Sequence, residues 1–193
     1  MMKKILLAAG VLLVGSTAAN AVILFSDNFN ANPVANATTP AGWVLNVGTV
    51  DVTNAFGGVN VDMNGQAALP AAIETASSFN VVAGQSYKLS FDFGVVGSGF
   101  EVLTFDFAGY SAGSVSFGPS VGLSAAAFTF VAAISGPSVL SFSGLPGTGS
   151  GMILDNVLLE SLAPVSPVPI PPAALLLGSG LIGLGALGRK RKN

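Results

Sequence analysis

The sequence predicts an all-β fold: a single β-sandwich (jelly roll) over residues 22–162, flanked by an N-terminal signal peptide and a C-terminal transmembrane helix. Three observations carry this. Apolar residues recur with a period of two, as where Tyr87, Leu89, Phe91 and Phe93 alternate with Ser86, Lys88, Ser90 and Asp92. No helical period is sustained across the same region. Turn clusters such as Asn32 to Gly42, Gly94 to Gly99, Gly118 to Gly122 and Pro146 to Gly151 separate the alternating runs at the short spacing of a sandwich.

The first element, residues 1–21, reads as a secretory signal. Lys3 and Lys4 supply the positive end, Ile5 to Val14 the short apolar stretch, and Ala19-Asn20-Ala21 the small-x-small pattern at which signal peptidase cuts, with Ala19 and Ala21 as the small residues. Strands are then expected at Ile23 to Phe29, Trp43 to Val47, Thr49 to Thr53, Val59 to Met63 and Glu74 to Phe79. The run from Ser86 to Phe93 follows, then Val102 to Phe107 and Val115 to Phe117. Phe128, Phe130, Ala132 and Ile134 mark another strand, Leu140 and Phe142 the next, and Met152 to Glu160 the last.

Beyond this domain, residues 163–172 are Pro-rich and read as an extended spacer, since proline joins neither a helix interior nor a central strand. Residues 173–188 are apolar or small. As a helix, 170–187 would extend roughly 27 Å at ~1.5 Å per residue, close to the ~30 Å hydrocarbon core of a bilayer. Residues 189–193 form a basic tail in which Arg189, Lys190, Arg191 and Lys192 hold that end in the cytoplasm.

Composition excludes several chemistries. The 193 residues hold no Cys and no His, which removes disulfides, thiolate metal sites, Cys nucleophiles and the Ser-His-Asp arrangement. Charged residues are only 8% of the chain. Six of the seven cations lie in the two terminal segments, so residues 22–162 carry Lys88 alone against nine acids, a side-chain charge of −8. Such a surface is a poor partner for nucleic acid.

The C-terminal order resembles the PEP-CTERM class of bacterial sorting signals, in its VPLPA-type variant. The residues concerned are Val168, Pro169, Ile170, Pro171, Pro172 and Ala173, then the apolar segment, then the Arg/Lys cluster. There is no Glu between the prolines; Ile170 stands for the variant's Leu and Pro172 is extra. The resemblance covers about the last 30 residues. It implies a Gram-negative source, export through the Sec translocon, and handling by an exosortase-type membrane peptidase. The protein would be transiently held in the inner membrane, then placed at the cell surface or outside the cell. An ordinary C-terminal membrane anchor is the plainer reading.

A second resemblance covers most of residues 22–162. Gly42-Trp43, Gly48 to Asp51, Asn60 to Gly65, Phe79 to Asp92 and Leu154 to Leu159 follow one another as in secreted domains of the galactose-binding-like jelly-roll group, which includes many carbohydrate-binding modules. Such domains often carry a structural Ca²⁺ near the chain ends. The resemblance implies Asp27 and Asp155 as its ligands; the alternative is that Asp155 hydrogen-bonds a loop or faces water.

For a sugar platform, two aromatics present themselves. Tyr110 stands between Gly109 and Ser111-Ala112-Gly113, where a loop would expose it; Trp43 follows a Gly at a strand start and reads either as a platform or as a core plug. Asn60, Asn64 and Gln66 could hydrogen-bond hydroxyls. No pair of acids is marked for catalysis. The expected function is therefore a non-catalytic surface or exopolysaccharide-matrix protein. The alternatives are a carbohydrate-binding module and a periplasmic protein tethered by an uncleaved C-terminal helix.

Overall fold

The computed structural model describes residues 21–65, 71–119, 121–145 and 151–162. The sorting motif, the apolar C-terminal segment, the basic cluster and nearly all of the signal segment lie outside the described residues. Among those described, no helix is long and apolar enough to cross a membrane.

The described residues form thirteen strands: β1 (Val22–Asp27), β2 (Trp43–Val47), β3 (Asp51–Thr53), β4 (Asn60–Asp62), β5 (Ala72–Thr75), β6 (Phe79–Val81), β7 (Ser86–Val96), β8 (Glu101–Phe107), β9 (Tyr110–Phe117), β10 (Ser124–Val131), β11 (Gly136–Ser138), β12 (Ser141–Leu145) and β13 (Gly151–Ser161). They build a β-sandwich. One sheet runs β10-β7-β13-β4-β3, with β1 also paired to β13; the facing sheet runs β2-β5-β12-β8-β9; β6 and β11 make a short separate ribbon. Every pairing is antiparallel.

The period-two pattern works as elementary geometry requires, since alternate side chains take opposite faces. Tyr87, Leu89, Phe91 and Phe93 of β7 point inward and are buried against Leu103, Phe105 and Phe107 of β8 and Phe142 of β12. Phe91 is the hub, with its ring centroid 5.2 Å from Phe142 and 6.1 Å from Phe128. Phe91 meets Phe93, Phe105 and Phe142 edge to face, as the ring quadrupole favours.

Several expected strands change length for local reasons. The run Glu74 to Phe79 breaks in two, because the Thr75 hydroxyl donates to the Ser77 carbonyl and turns the chain out of the sheet. The Phe128 strand starts earlier and ends at Val131. Ala132 bonds Gln85 instead, and Ile134 lies exposed past the end. The largest difference is β9, which begins at Tyr110. Ala108 and Gly109 both have positive φ (56° and 77°), and they are the two central residues between the paired Phe107 and Tyr110. This is the backbone of a tight hairpin, so the strand resumes at once where sequence reading expects a loop.

The two chain ends of the sandwich lie together. Val22 pairs with Ser161, and Leu162 donates to the Ser86 carbonyl. The β7–β8 connection, the end of β9 and the start of β13 lie at the opposite end.

Candidate functional site

Trp43 is not available to a ligand. It opens β2 after Gly42, is 5% exposed, and packs edge-on against Phe25 at 5.2 Å and against Phe29 and Phe142. Its Nε1–H donates to Asp27 Oδ2 at 2.8 Å, while Asp27 Oδ1 accepts from the Phe29 backbone N–H at 2.7 Å. Of its two readings, the core plug is the one the structure shows. Tyr110 corrects the loop-platform expectation. It is half-buried, with its ring stacked on Phe130 at 4.7 Å and 12° and next to Phe105 at 5.8 Å. Asn60 and Asn64 are buried, and Gln66 lies outside the described residues.

The aromatic that sequence reading missed is Phe100. It is 66% exposed, and among the described side chains it is the one exposed aromatic ring. Its position follows from parity. Glu101, Leu103, Phe105 and Phe107 of β8 turn inward, so Phe100, Val102, Thr104 and Asp106 take the outer face. Parity in the sequence could have located it; the flanking Gly97-Ser98-Gly99 made it look like part of a turn. The ring lies on Gly118, where an added Cβ would meet Phe100 at 3.0 Å. Glycine is what lets the ring lie so close to the backbone of the neighbouring strand's end.

From Phe100 the outer face of this sheet extends in cross-strand rows. Leu145, Val102 and Ser116 form the first; Ala72, Ser143, Thr104 and Ser114 the second; Val44, Glu74, Ser141 and Asp106 the third. Rows two residues apart are about 6.7 Å apart, so the face runs roughly 20 Å from Phe100 to Asp106. It offers one ring, small hydroxyl residues and two carboxylates. Glu74 accepts from Asn46 Nδ2 at 2.9 Å, and Thr104 donates to the Ser143 carbonyl at 3.1 Å. Partial burial holds the Asp106 carboxyl above the usual carboxylate range.

The Asp27 and Asp155 expectation leads to the other sheet. Asp155 sits at a bulge of β13, opposite Asp92, and Asp27 pairs beside it at Val157. Asn156, at φ 49°, donates from its backbone to Asp155 Oδ1 and from its side chain to Asp92 Oδ2. Burial first, then the charges of Asp92 and Asp27, push the Asp155 carboxyl up; the Asn156 N–H pulls the other way. One register step beyond the Leu154–Val61 pair, Asn60 comes alongside Asp155. Asn60 is fully buried, and neither side-chain oxygen nor nitrogen has a partner. These oxygens are the hard donors that Ca²⁺ accepts. Yet among the described residues no group of three or more His, Cys, Asp or Glu side chains is placed to hold a metal ion.

No protein-family model and no curated protein matches the chain. Solved structures do share its shape. A cyclase from Fischerella sp. TAU matches with a TM-score of 0.53 at 16% identity, over 74% of this chain and 98% of that one. The CBM22-1 xylan-binding domain of Paenibacillus barcinonensis Xyn10C matches with a TM-score of 0.51 at 14% identity, over 77% and 100%. The CBM22-1-GH10 modules of Clostridium thermocellum Xyn10B, complexed with xylohexaose, match with a TM-score of 0.50 at 13% identity, over 72% and 28%. Likeness at these identities establishes the jelly-roll-like fold alone.

Proposed function

We propose that the chain is an exported, non-catalytic carbohydrate-binding β-sandwich. It engages a polysaccharide along the outer face of the β2-β5-β12-β8-β9 sheet. The observation that carries this is the Phe100 ring, lying on Gly118 at one end of a face lined by Ser and Thr. A sugar ring presents an apolar C–H face that stacks on an aromatic, and its hydroxyls suit Ser143, Thr104 and Ser114. The fold shared with a xylan-binding domain supports the reading.

The ligand follows from charge. A domain with side-chain charge −8, and with Glu74 and Asp106 on the binding face, repels uronic-acid chains. The substrate class is therefore a neutral polysaccharide. Affinity electrophoresis of the full chain in gels containing neutral or acidic polysaccharides tests this. Retardation is expected only in neutral gels; equal mobility in every gel overturns it.

The PEP-CTERM-like tail supports a place outside the inner membrane, reached by exosortase processing. Mass spectrometry of the mature protein is expected to find the Arg189 to Lys192 cluster gone, and its retention would instead favour the tethered form. A Ca²⁺ ion between Asp27 and Asp155, with the Asn60 side-chain oxygen beside them, is a separate proposal supported by the unpartnered Asn60 amide. It predicts that Ca²⁺ raises the melting temperature of the wild type by several degrees and that of Asp155→Asn not at all. An equal response in both would reject the site.

A further inference from the structure

The two sides of the sandwich end very differently. On one side, β3 is three residues long and already covered: Ala35 and Val52 exchange backbone hydrogen bonds at 2.9 and 3.0 Å, and Thr38 donates to the Val50 carbonyl. The edge strand of the facing sheet at that side, β2, is five residues long and bulged between Leu45 and Val47. Short strands, bulges and covering segments are the usual protection of a sheet edge.

At the other side, β10 has none of these. β10 is eight residues long and pairs with β7 in unbroken register from Ser124–Phe93 to Val131–Ser86. Its far side takes part in no backbone hydrogen bond among the described residues. Its sequence, Ser124-Ala125-Ala126-Ala127-Phe128-Thr129-Phe130-Val131, contains no charge and no proline. Small residues at 125 and 127 leave the outer surface flat beside the edge. In a domain with nine acids and one lysine, a full-length edge strand lacking any charged gatekeeper is a place where two copies of the same acidic molecule meet without repulsion.

We propose that β10 is a homotypic assembly edge: two copies of this chain pair their β10 strands antiparallel across a two-fold axis at Ala127, joining their six-stranded sheets into one. The register argues for that axis. Asp92 lies behind Ala125, Ser90 behind Ala127 and Lys88 behind Thr129. A two-fold at Ala127 sets Ala125 of one copy opposite Thr129 of the other, so uncharged side chains meet at the seam. The nearest charges along that row, Asp92 of one copy and Lys88 of the other (the latter holding its own Glu160 at 3.7 Å), are opposite in sign and stand three strand spacings apart, about 14 Å. The interface is isologous and closes as a dimer. The exposed backbone N–H and C=O groups of both edges are satisfied together.

Single-cysteine cross-linking of the full chain tests this, and the natural absence of Cys makes the background clean. Ala125→Cys, Ala127→Cys, Thr129→Cys and, on the protected side, Val44→Cys are oxidised under identical conditions. The expected result is a covalent dimer at least tenfold more abundant for Ala127→Cys than for Val44→Cys, falling off at 125 and 129. Cross-linking at or below the Val44→Cys level throughout β10 overturns the proposal. In the Ala127→Cys background, adding Ala125→Lys and Thr129→Lys is expected to abolish the dimer with the melting temperature held. A dimer that persists in that variant, with an unchanged yield, overturns it as well.

Discussion

Asp27 and Phe100 illustrate how much a single side chain's surroundings decide. Asp27 spends both carboxylate oxygens on ordering the strand end: one holds the Phe29 N–H, the other the Trp43 indole. Asp27→Ala is expected to leave that indole N–H buried without a partner, at a cost of about 1–3 kcal/mol in denaturant unfolding. An unchanged midpoint would show that the bond contributes nothing. Gly118→Ala acts on Phe100 from below. The new methyl displaces the ring, so polysaccharide affinity is expected to fall several-fold while the melting temperature holds; unchanged affinity would show that the ring's seat on Gly118 does not matter. Trp43, after Gly42 at a strand start, read in the sequence either as a platform or as a core plug, and only its burial against Phe25, Phe29 and Phe142 separates the two. Tyr110 misled because the positive φ of Ala108, a residue that rarely adopts it, made a two-residue hairpin that composition does not announce.

At the scale of strands, acids face acids. Asp51 stands directly opposite Asp62 across β3 and β4, and Asp92 opposite Asp155 across β7 and β13. Like charges in such positions are destabilising. Burial, aided by the Asp51 charge, raises the Asp62 carboxyl above its ordinary 3.8, although the Asn64, Met152 and Gly65 backbone N–H groups oppose this. Asp106 and Asp155 are raised too. A carboxyl raised by folding binds its proton more tightly in the folded state. Its stabilising contribution is complete below 3.8 and is lost as pH rises through the raised value. The melting temperature is therefore expected to climb as pH falls from 7 toward 4, with a shallower climb in Asp62→Asn. Calorimetry across that range decides, and a fall on acidification would contradict the account. Sequence alternation made the central strands β7 and β8 legible, because each buries alternate residues along most of its length, whereas β13 shows as an apolar run and buries Met152 to Asp155 in succession. Alternation could not set the register of β3 against β4, which depends on a turn and on Gly65, whose φ of 46° and packing on the Thr49 carbonyl leave no room for a Cβ.

Across the whole molecule, opposite ends do different work. Val22 and Leu162, at the two margins of the β-sandwich, lie at one end of it, while Phe100 stands at the other. The acidity of residues 22–162 was plain once the terminal cations were set aside. The binding face was not, since its rows join side chains from five strands that only the fold assembles. The most direct measurement is a calorimetric titration of a neutral polysaccharide into the full chain and into Phe100→Ala. Saturable binding by the wild type is expected, falling at least tenfold in Phe100→Ala with the melting temperature unchanged. Equal affinity in both proteins, or no binding by the wild type, would contradict this expectation.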